Sequence, residues 1–176
     1  KHNDVTMLDV YEPQVENINQ NGITVLEEDG TEQHFSDIRA MKSGTCKEVA
    51  DLVIVFVKST HTESSLEENK DLFGENTLVM TLQNGAGNDR KIAKYVRTEN
   101  IIIGTSKHNS VNLGGGKIRH SGNGVTTIGS NLEENIHLQT VADLLTEAGF
   151  QSAVSDDIQR IIWSKLFVNL SINTFT

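Results

Sequence analysis

One uninterrupted apolar run constrains the fold of this chain more than any other stretch. Residues 50–58 read A-D-L-V-I-V-F-V-K, and polar and apolar positions do not alternate along them. A strand with this pattern is buried on both faces, as in a parallel sheet that carries helices on either side. We therefore predict a strand here that is covered on both faces within an α/β fold.

Predicted strands and helices alternate along the first half of the chain. From the amino terminus, the order is strand (5–10), helix (13–19), hairpin (23–35), strand (50–58), helix (62–73), strand (77–82) and helix (89–95). This order is typical of βαβ units and predicts a doubly wound parallel sheet. Glycine-rich residues 107–129 contain short alternating pieces, which we expect to add antiparallel strands at one edge.

The end of the chain predicts a second domain. From Asp156 to at least Ile172 the sequence reads as one helix, and this helix is more apolar than a surface helix of a finished domain. We place a domain boundary near Ser155. The chain also enters a strand within a few residues and lacks an initiator Met, so we expect a chain that is cut within its fold.

Composition excludes several classes of partner. The net charge of −9 argues against a nucleic-acid or anionic-membrane surface. No apolar run reaches the roughly 18 to 20 residues of a membrane span, and the chain opens without a signal peptide. The single Cys46 cannot form an internal disulfide, which predicts a reducing, cytoplasmic setting. No histidine pair has metal-ligand spacing, so we predict no metal site; the histidines considered are His34, His61, His108, His120 and His137.

Three features lie where parallel strands end, the edge at which ligands bind in open α/β sheets. Residues 84–88, N-G-A-G-N, form a glycine turn that presents Asn84, although Asn-Gly alone also describes an ordinary turn. Lys58 ends its strand where a phosphate or ribose would lie, or it simply reaches solvent. Asp9 ends the first strand, where an acid accepts hydrogen bonds from ribose hydroxyls or is merely solvated.

The final helix carries a narrow polar stripe. At 100° per residue, Lys165, Asn169 and Asn173 lie at about 0°, 40° and 80° among apolar residues. A helix that is apolar nearly all round is buried, and a buried lysine has a lowered pKa that suits a general acid. The two amides can hold a carboxylate or hydroxyl. The alternative is that the stripe is the one exposed face of the helix.

Four blocks of this sequence resemble the ketopantoate reductase (2-dehydropantoate 2-reductase) family, in the family's order. They are A-D-L-V-I-V-F-V-K, L-Q-N-G-A-G-N, S-G-N-G-V-T-T-I-G and I-W-S-K-L-F-V-N-L-S-I-N. The resemblance implies a Rossmann domain (residues 1–155, without its first strand and glycine-rich loop) followed by the first helix (residues 156–176) of an all-helical substrate and dimerisation domain. It leaves a homodimer open.

The resemblance also implies roles for individual residues. Lys165 would be the general acid that protonates the C2 carbonyl oxygen, and Asn169 and Asn173 would bind substrate. Asn84 would lie beside both cofactor and substrate, while Lys58 and Gly85 would contact the cofactor. The family implies NADP(H). NAD(H) stays open because Asp9 lies on the strand that matches the family's second strand, and no basic residue follows it to pair a 2′-phosphate.

We therefore expect a cytoplasmic oxidoreductase that reduces a small 2-keto acid with NAD(P)H. The first substrate to test is 2-dehydropantoate, which would be reduced to pantoate in pantothenate biosynthesis. Two alternatives remain: a D-2-hydroxyacid dehydrogenase acting on other branched 2-keto acids, and a dinucleotide-binding module without turnover. The presence of Lys165 disfavours the binding module, since a protein that only senses a dinucleotide needs no proton donor.

Overall fold

The computed structural model describes residues 3–173, and side chains through Val168. Its strands are β1 (Thr6–Asp9), β2 (Ile23–Leu26), β3 (Glu32–Phe35), β4 (Arg39–Lys42), β5 (Leu52–Val55), β6 (Leu78–Thr81), β7 (Ile101–Thr105), β8 (Asn109–Gly114), β9 (Lys117–Ser121), β10 (Thr126–Gly129) and β11 (Ser152–Val154). Its α-helices are α1 (Glu12–Asn21), α2 (Thr62–Glu68), α3 (Asn88–Ile92), α4 (Leu138–Glu147) and α5 (Ile158–Asn173). Short 3₁₀ turns at Ser59–His61 and Lys70–Leu72 flank α2.

The chain divides into two compact units. One contains the residues up to Cys46 together with Lys107–Asn123, and the other contains Lys47–Ser106 with the residues from Gly124 onward. The second unit holds a five-stranded sheet in the order β11-β10-β7-β6-β5. Strands β5, β6 and β7 are parallel, β10 is antiparallel to β7, and β11 is parallel to β10. This arrangement confirms the predicted α/β fold with a parallel sheet and an antiparallel strand.

Both faces of this sheet are covered by helices. Val79 on β6 belongs to a buried cluster with Ile92 of α3 and Ile158 of α5. Its neighbour Met80 points to the opposite face and packs in a second cluster with Val141 of α4. Alternate residues of one strand thus enter two separate cores, which is the doubly wound, Rossmann-type arrangement predicted from the order of elements.

The strand predicted most strongly, residues 50–58, is shorter and less buried than expected. It ends at Val55, and Ile54 and Phe56 are 41% and 69% exposed. The cause is its position, because β5 is the terminal strand of the five-stranded sheet as described. The buried central strand is β6, where Val79 and Met80 have no exposed area.

The first compact unit combines a parallel pair with a second sheet. β1 pairs in parallel with β4, and α1 packs beside them around Ile18, Ile23 and Ala40. The side-chain amide of Asn19 donates to the Ala40 carbonyl and accepts from the Ala40 N–H, at 2.9 and 2.8 Å. The glycine-rich region contributes antiparallel strands β8 and β9, which join β2 and β3 in the order β3-β2-β9-β8, whereas β10 joins the other unit.

Helix α5 begins against the sheet of the second unit. Ile158 and Ile162 are buried with the core on the α3 side of the sheet. The boundary near Ser155 and a separate helical domain from residue 156 onward stay predictions. Within the described residues, no helix has both the length and the apolar character needed to cross a membrane.

Candidate functional site

The loops that follow β6 and β7 meet at the carboxyl edge of the parallel sheet. Val55, Thr81 and Ile103 are register partners across β5, β6 and β7, so these strands end side by side. After β6 the chain makes a tight turn before α3, in which Gly85 and Gly87 have φ of 96° and 83°. Only glycine adopts such angles without strain, so the N-G-A-G-N segment is a true backbone turn at the predicted edge.

Gln83 holds this turn against the neighbouring strand and helix. Its Nε2 donates to the Val57 carbonyl and to Thr62 Oγ1, the latter at 3.0 Å, while its Oε1 accepts from Thr81 Oγ1 at 3.0 Å. One side chain thus joins the end of β6, the segment after β5 and the start of α2. Gln83 was not predicted from the sequence, although its position between an apolar strand and the glycine turn is a usable signal.

Two adjoining depressions lie beside the glycine turn, and both are lined by Gln83, Gly85, Gly104 and Ile162. The first continues along residues 85–89 to Gln159, and the second is completed by Asn84, Thr105, Lys165 and Leu166. The structure therefore brings together Asn84, Gly85 and Lys165, which the sequence assigned to one site. Asn84 is exposed at the mouth of the second depression.

Lys165 is half-buried and points its ammonium group at the end of β7. Its Nζ donates to Thr105 Oγ1 and to the Ser106 carbonyl, each at 2.9 Å. These acceptors fix a cation at the sheet edge, beside the second depression. A cation held in this way can donate a proton to a developing oxyanion or attract an anionic group.

Asn88 supplies a further polar group beside the first depression. It is 4% exposed, and its Nδ2 has no hydrogen-bond partner among the residues that the structure describes. Buried donors of this kind are uncommon in folded proteins, because burial without a partner costs free energy. The amide is thus available to an acceptor atom of a bound molecule or to a water. The sequence analysis did not single it out.

The remaining predicted residues have different outcomes. Lys58 is exposed and follows β5 at the same sheet edge. Asp9 lies in the other compact unit, where its carboxylate accepts from the backbone N–H of Tyr11 at 2.9 Å. Asn169 and Asn173 fall on α5, but their side chains lie outside the described residues. The proposed roles of all of these residues stay predictions.

Lys91 on α3 and Lys94 just after it contact the 3₁₀ turn and the helix that precede β6. Lys91 Nζ donates to the Ser59 carbonyl at 2.6 Å, and Lys94 Nζ pairs with Glu63 at 2.9 Å. The hydrogen bond from Lys94, followed by its positive charge, lowers the pKa of the Glu63 carboxyl. These contacts tie α3, and with it the end of the glycine turn, to α2.

A second group of polar side chains, not predicted from the sequence, links one loop to the first turns of two helices. Asn131, in the loop after β10, donates from Nδ2 to Asp89 Oδ2 at 2.7 Å. Its Oδ1 accepts from Gln159 Nε2, on the first turn of α5, at 2.8 Å. Asp89 itself directly follows Asn88 at the start of α3. These residues are 42 and 28 positions apart, so no local pattern could have grouped them.

The other compact unit contains a histidine pair that spacing did not indicate. His108 Nδ1 and His120 Nε2 are 2.8 Å apart, and His120 Nδ1 lies 2.6 Å from Glu27 Oε2. The ring centroids are 5.1 Å apart, about 2.3 Å more than the two nitrogens, and the rings are inclined by only 21°. The rings therefore meet edge to edge along a hydrogen bond. This geometry suits a shared proton and leaves no room for a metal ion between the nitrogens.

Comparison with known proteins gives a family and a set of relatives. The profile of the family "Ketopantoate reductase PanE/ApbA" matches residues 1–133. The 2-dehydropantoate 2-reductase of Halobacterium salinarum is 32% identical over 98% of this chain, and that of Streptococcus pyogenes serotype M3 is 30% identical over 98%. The chain spans about 56% of the length of each of these relatives.

Solved structures include proteins with a similar fold over almost the whole of this chain. A ternary structure of D-mandelate dehydrogenase with NADH and anilino(oxo)acetate superposes with a TM-score of 0.88 at 27% identity, over 95% of this chain and 54% of that one. The 2-dehydropantoate 2-reductase of Geobacter metallireducens superposes with a TM-score of 0.84 at 29% identity, over 95% and 55% of the two chains.

Proposed function

The chain belongs to the ketopantoate reductase family, and we propose that its protein reduces the C2 carbonyl of 2-dehydropantoate to the hydroxyl of pantoate with a nicotinamide cofactor. The observation that carries this proposal is the position of Lys165. Its ammonium group lies at the end of β7, in the same depression as the glycine turn. A carbonyl reductase needs a proton donor beside its cofactor at the sheet edge, and the position of Lys165 supports that role.

The residues at the sheet edge fit a nicotinamide cofactor. No atom lies within 4 Å of where a Cβ would stand on Gly85 or Gly87, so the backbone is open to close approach. The unpartnered amide of buried Asn88 offers a donor beside that opening. When bound, the cofactor supplies the hydride that adds to C2. We assign Asn84 and Gly85 to its nicotinamide side, Lys58 to a phosphate or ribose, and Asp9 to a ribose hydroxyl.

Lys165 acts in this proposal as the general acid. As negative charge develops on the C2 oxygen, the ammonium group donates a proton to that oxygen and becomes a neutral amine, which solvent reprotonates. Thr105 Oγ1 and the Ser106 carbonyl orient the group before the reaction, which lowers the entropic cost of the transfer. Asn169 and Asn173, on the following turns of α5, would hold the substrate's hydroxyl and carboxylate.

For the cofactor we propose a nicotinamide dinucleotide, either NADPH or NADH. The family resemblance favours NADPH, whereas Asp9 on β1 and the NADH in the similar D-mandelate dehydrogenase structure favour NADH. That structure also supports the second candidate function, a D-2-hydroxyacid dehydrogenase with a different side-chain preference. A binding module without turnover is the third candidate, although it leaves the positioning of Lys165 without a purpose.

The test is a reductase assay on the full-length gene product with three substrates: 2-dehydropantoate, 2-ketoisovalerate and phenylglyoxylate. Oxidation of NADPH and NADH is followed for the wild type and for Lys165→Met, which keeps most of the side-chain volume. We expect kcat to fall by about 10²- to 10⁴-fold, the range typical of a lost general acid. The matched control is Lys70→Met, an exposed lysine in the 3₁₀ turn after α2, which should leave kcat unchanged.

Each outcome decides between the candidates. Fastest turnover of 2-dehydropantoate supports the proposal, and faster turnover of the other two keto acids supports the hydroxyacid dehydrogenase. If no keto acid is reduced with either nucleotide, the binding module is the better description. If Lys165→Met keeps near-wild-type kcat, the assignment of the general acid is wrong even though the enzyme is active.

A further inference from the structure

The hydrogen bonds of Asn131 connect the two halves of the candidate site. On one side Asn131 bonds to Asp89, which immediately follows the glycine turn and Asn88. On the other it bonds to Gln159, six residues before Lys165 on α5. From this chain of contacts we infer that Asn131 is a positioning residue, which sets the rotation of α5 and so the place of the Lys165 ammonium group relative to the glycine turn. The catalytic part of this inference rests on the proposed function.

Apolar packing fixes how far α5 lies from the sheet, but it leaves rotation of the helix less constrained. Ile158 and Ile162 are buried, and both are aliphatic side chains without directional bonds. The bond from Gln159 to Asn131 is directional and lies on the first turn of α5. An atom roughly 6 Å from a helix axis moves about 1 Å for each 10° of rotation. Misplacement of a reacting group by about 1 Å can cost 10²-fold in rate.

The partners also determine the orientation of the Asn131 amide. An ionised Asp89 can only accept, so the Asn131 NH₂ group must face it, and the Asn131 oxygen is then left to accept from Gln159. Asp89 is 9% exposed, which makes its hydrogen bond costly to lose. The turn and α5 are thus joined through one amide whose direction is set at both ends.

Because the donor and the acceptor of the bond between Asn131 and Asp89 are fixed, exchanging the two residue types provides a test. In Asn131→Asp, two carboxylates would face each other at 2.7 Å, and the chain should break. In the double variant Asp89→Asn with Asn131→Asp, the new amide at 89 donates to the carboxylate at 131, which still accepts from Gln159. Asn131→Ala removes both bonds. The matched control is Asn135→Ala, because Asn135 lies in the same loop and bonds to the Glu99 carbonyl and Ser130 Oγ without reaching α5.

Two measurements on the full-length gene product test the inference. In the reductase assay, Asn131→Ala and Asn131→Asp should lower kcat by about 10- to 100-fold with a smaller change in KM for the keto acid. The double exchange should recover most of that loss, and Asn135→Ala should keep wild-type kcat. Independently of activity, hydrogen exchange of the amides at residues 158–165 should be faster in the two single variants of Asn131 and should return to the wild-type rate in the double exchange.

The outcomes separate this inference from the proposed function. A wild-type protein that reduces no keto acid refutes the proposed function, and the hydrogen-exchange comparison then decides whether Asn131 orders α5. If Asn131→Ala leaves both kcat and the exchange of α5 unchanged, Asn131 is not a positioning residue. If the double exchange fails to recover either quantity, the hydrogen-bond chain is not the means by which α5 is held.

Discussion

Gly129 is the point at which α5 rests on the sheet, and replacing it with alanine should displace the helix. A Cβ at this position would lie 2.6 Å from Ile158 Cβ, 2.6 Å from the Ser155 carbonyl oxygen and 3.0 Å from Ile158 Cγ2. Real Cβ atoms do not approach other atoms this closely. The carbonyl belongs to the backbone and Ile158 Cβ is fixed to the first turn of α5, so neither can move away without shifting the start of the helix.

The expected loss of stability for Gly129→Ala follows from two opposing terms. Insertion of a methyl group into a packed contact typically costs about 1–3 kcal/mol. Alanine restricts the unfolded chain more than glycine does, which stabilises the folded state by about 0.4–1 kcal/mol at positions with compatible backbone angles. Gly129 has no positive φ, so this second term applies. The net loss of about 1–2 kcal/mol should lower the melting temperature by roughly 2–8 °C for a domain of this size.

The matched control is Gly74→Ala. A Cβ at Gly74 would also meet a close neighbour, Val49 Cγ1 at 2.7 Å. However, Val49 is 66% exposed, so its side chain can turn away into solvent. Thermal unfolding followed by circular dichroism should therefore show a near-neutral change for Gly74→Ala and a clear loss for Gly129→Ala. A Gly129→Ala protein at least as stable as the wild type, or equal losses in both variants, would refute the packing of α5 described above.

Two further substitutions test buried polar contacts. Thr77→Val removes the hydroxyl that accepts from the Gly74 N–H at 2.8 Å. Urea titrations should show a free energy of unfolding lower by about 1–3 kcal/mol. Thr77→Ser keeps the hydroxyl and should therefore lose less stability. His120→Leu breaks both bonds of the His108–His120–Glu27 chain and should lower the free energy of unfolding by about 1–3 kcal/mol. Glu27→Gln keeps an acceptor for His120 and should lower it less. Equal losses in the two variants would mean that these hydrogen bonds do not stabilise the sheet.

The sequence predicted those parts of the fold that local patterns determine. The buried strand at β6, the glycine turn after it and the helix at α5 each follow from apolar runs, glycine spacing or helical periodicity. The exposure of Phe56 at the end of β5 did not follow, because burial of a strand depends on which strands pair beside it. An apolar run shows that a strand can be buried on both faces, whereas the order of strands in the sheet determines how much of that strand is covered.

The two polar networks that the sequence did not predict join residues far apart in the chain. His120 meets Glu27 because β9 pairs in parallel with β2, which brings together residues 93 positions apart. Asn131 meets Asp89 and Gln159 because the loop after β10 lies beside the first turns of α3 and α5. Neither group has a repeat or a spacing that marks it. Such contacts become predictable only when strand order and register are known.

The polar stripe on α5 can be interpreted either as a buried functional group or as the exposed face of the helix. These interpretations predict opposite orientations for Lys165, and the structure shows its orientation. If the stripe were simply the exposed face, Lys165 would point to solvent and the aromatic residues would be covered. Trp163 and Phe167 lie two positions on either side of Lys165, so each is about 160° around the helix from it. They are 47% and 64% exposed, while Lys165 is half-buried with its Nζ bonded at the end of β7. An ammonium group that points inward carries a desolvation cost that a methionine at the same position would not have. This placement contradicts the exposed-face interpretation for Lys165, and a role for Lys165 in chemistry at the sheet edge stays a prediction.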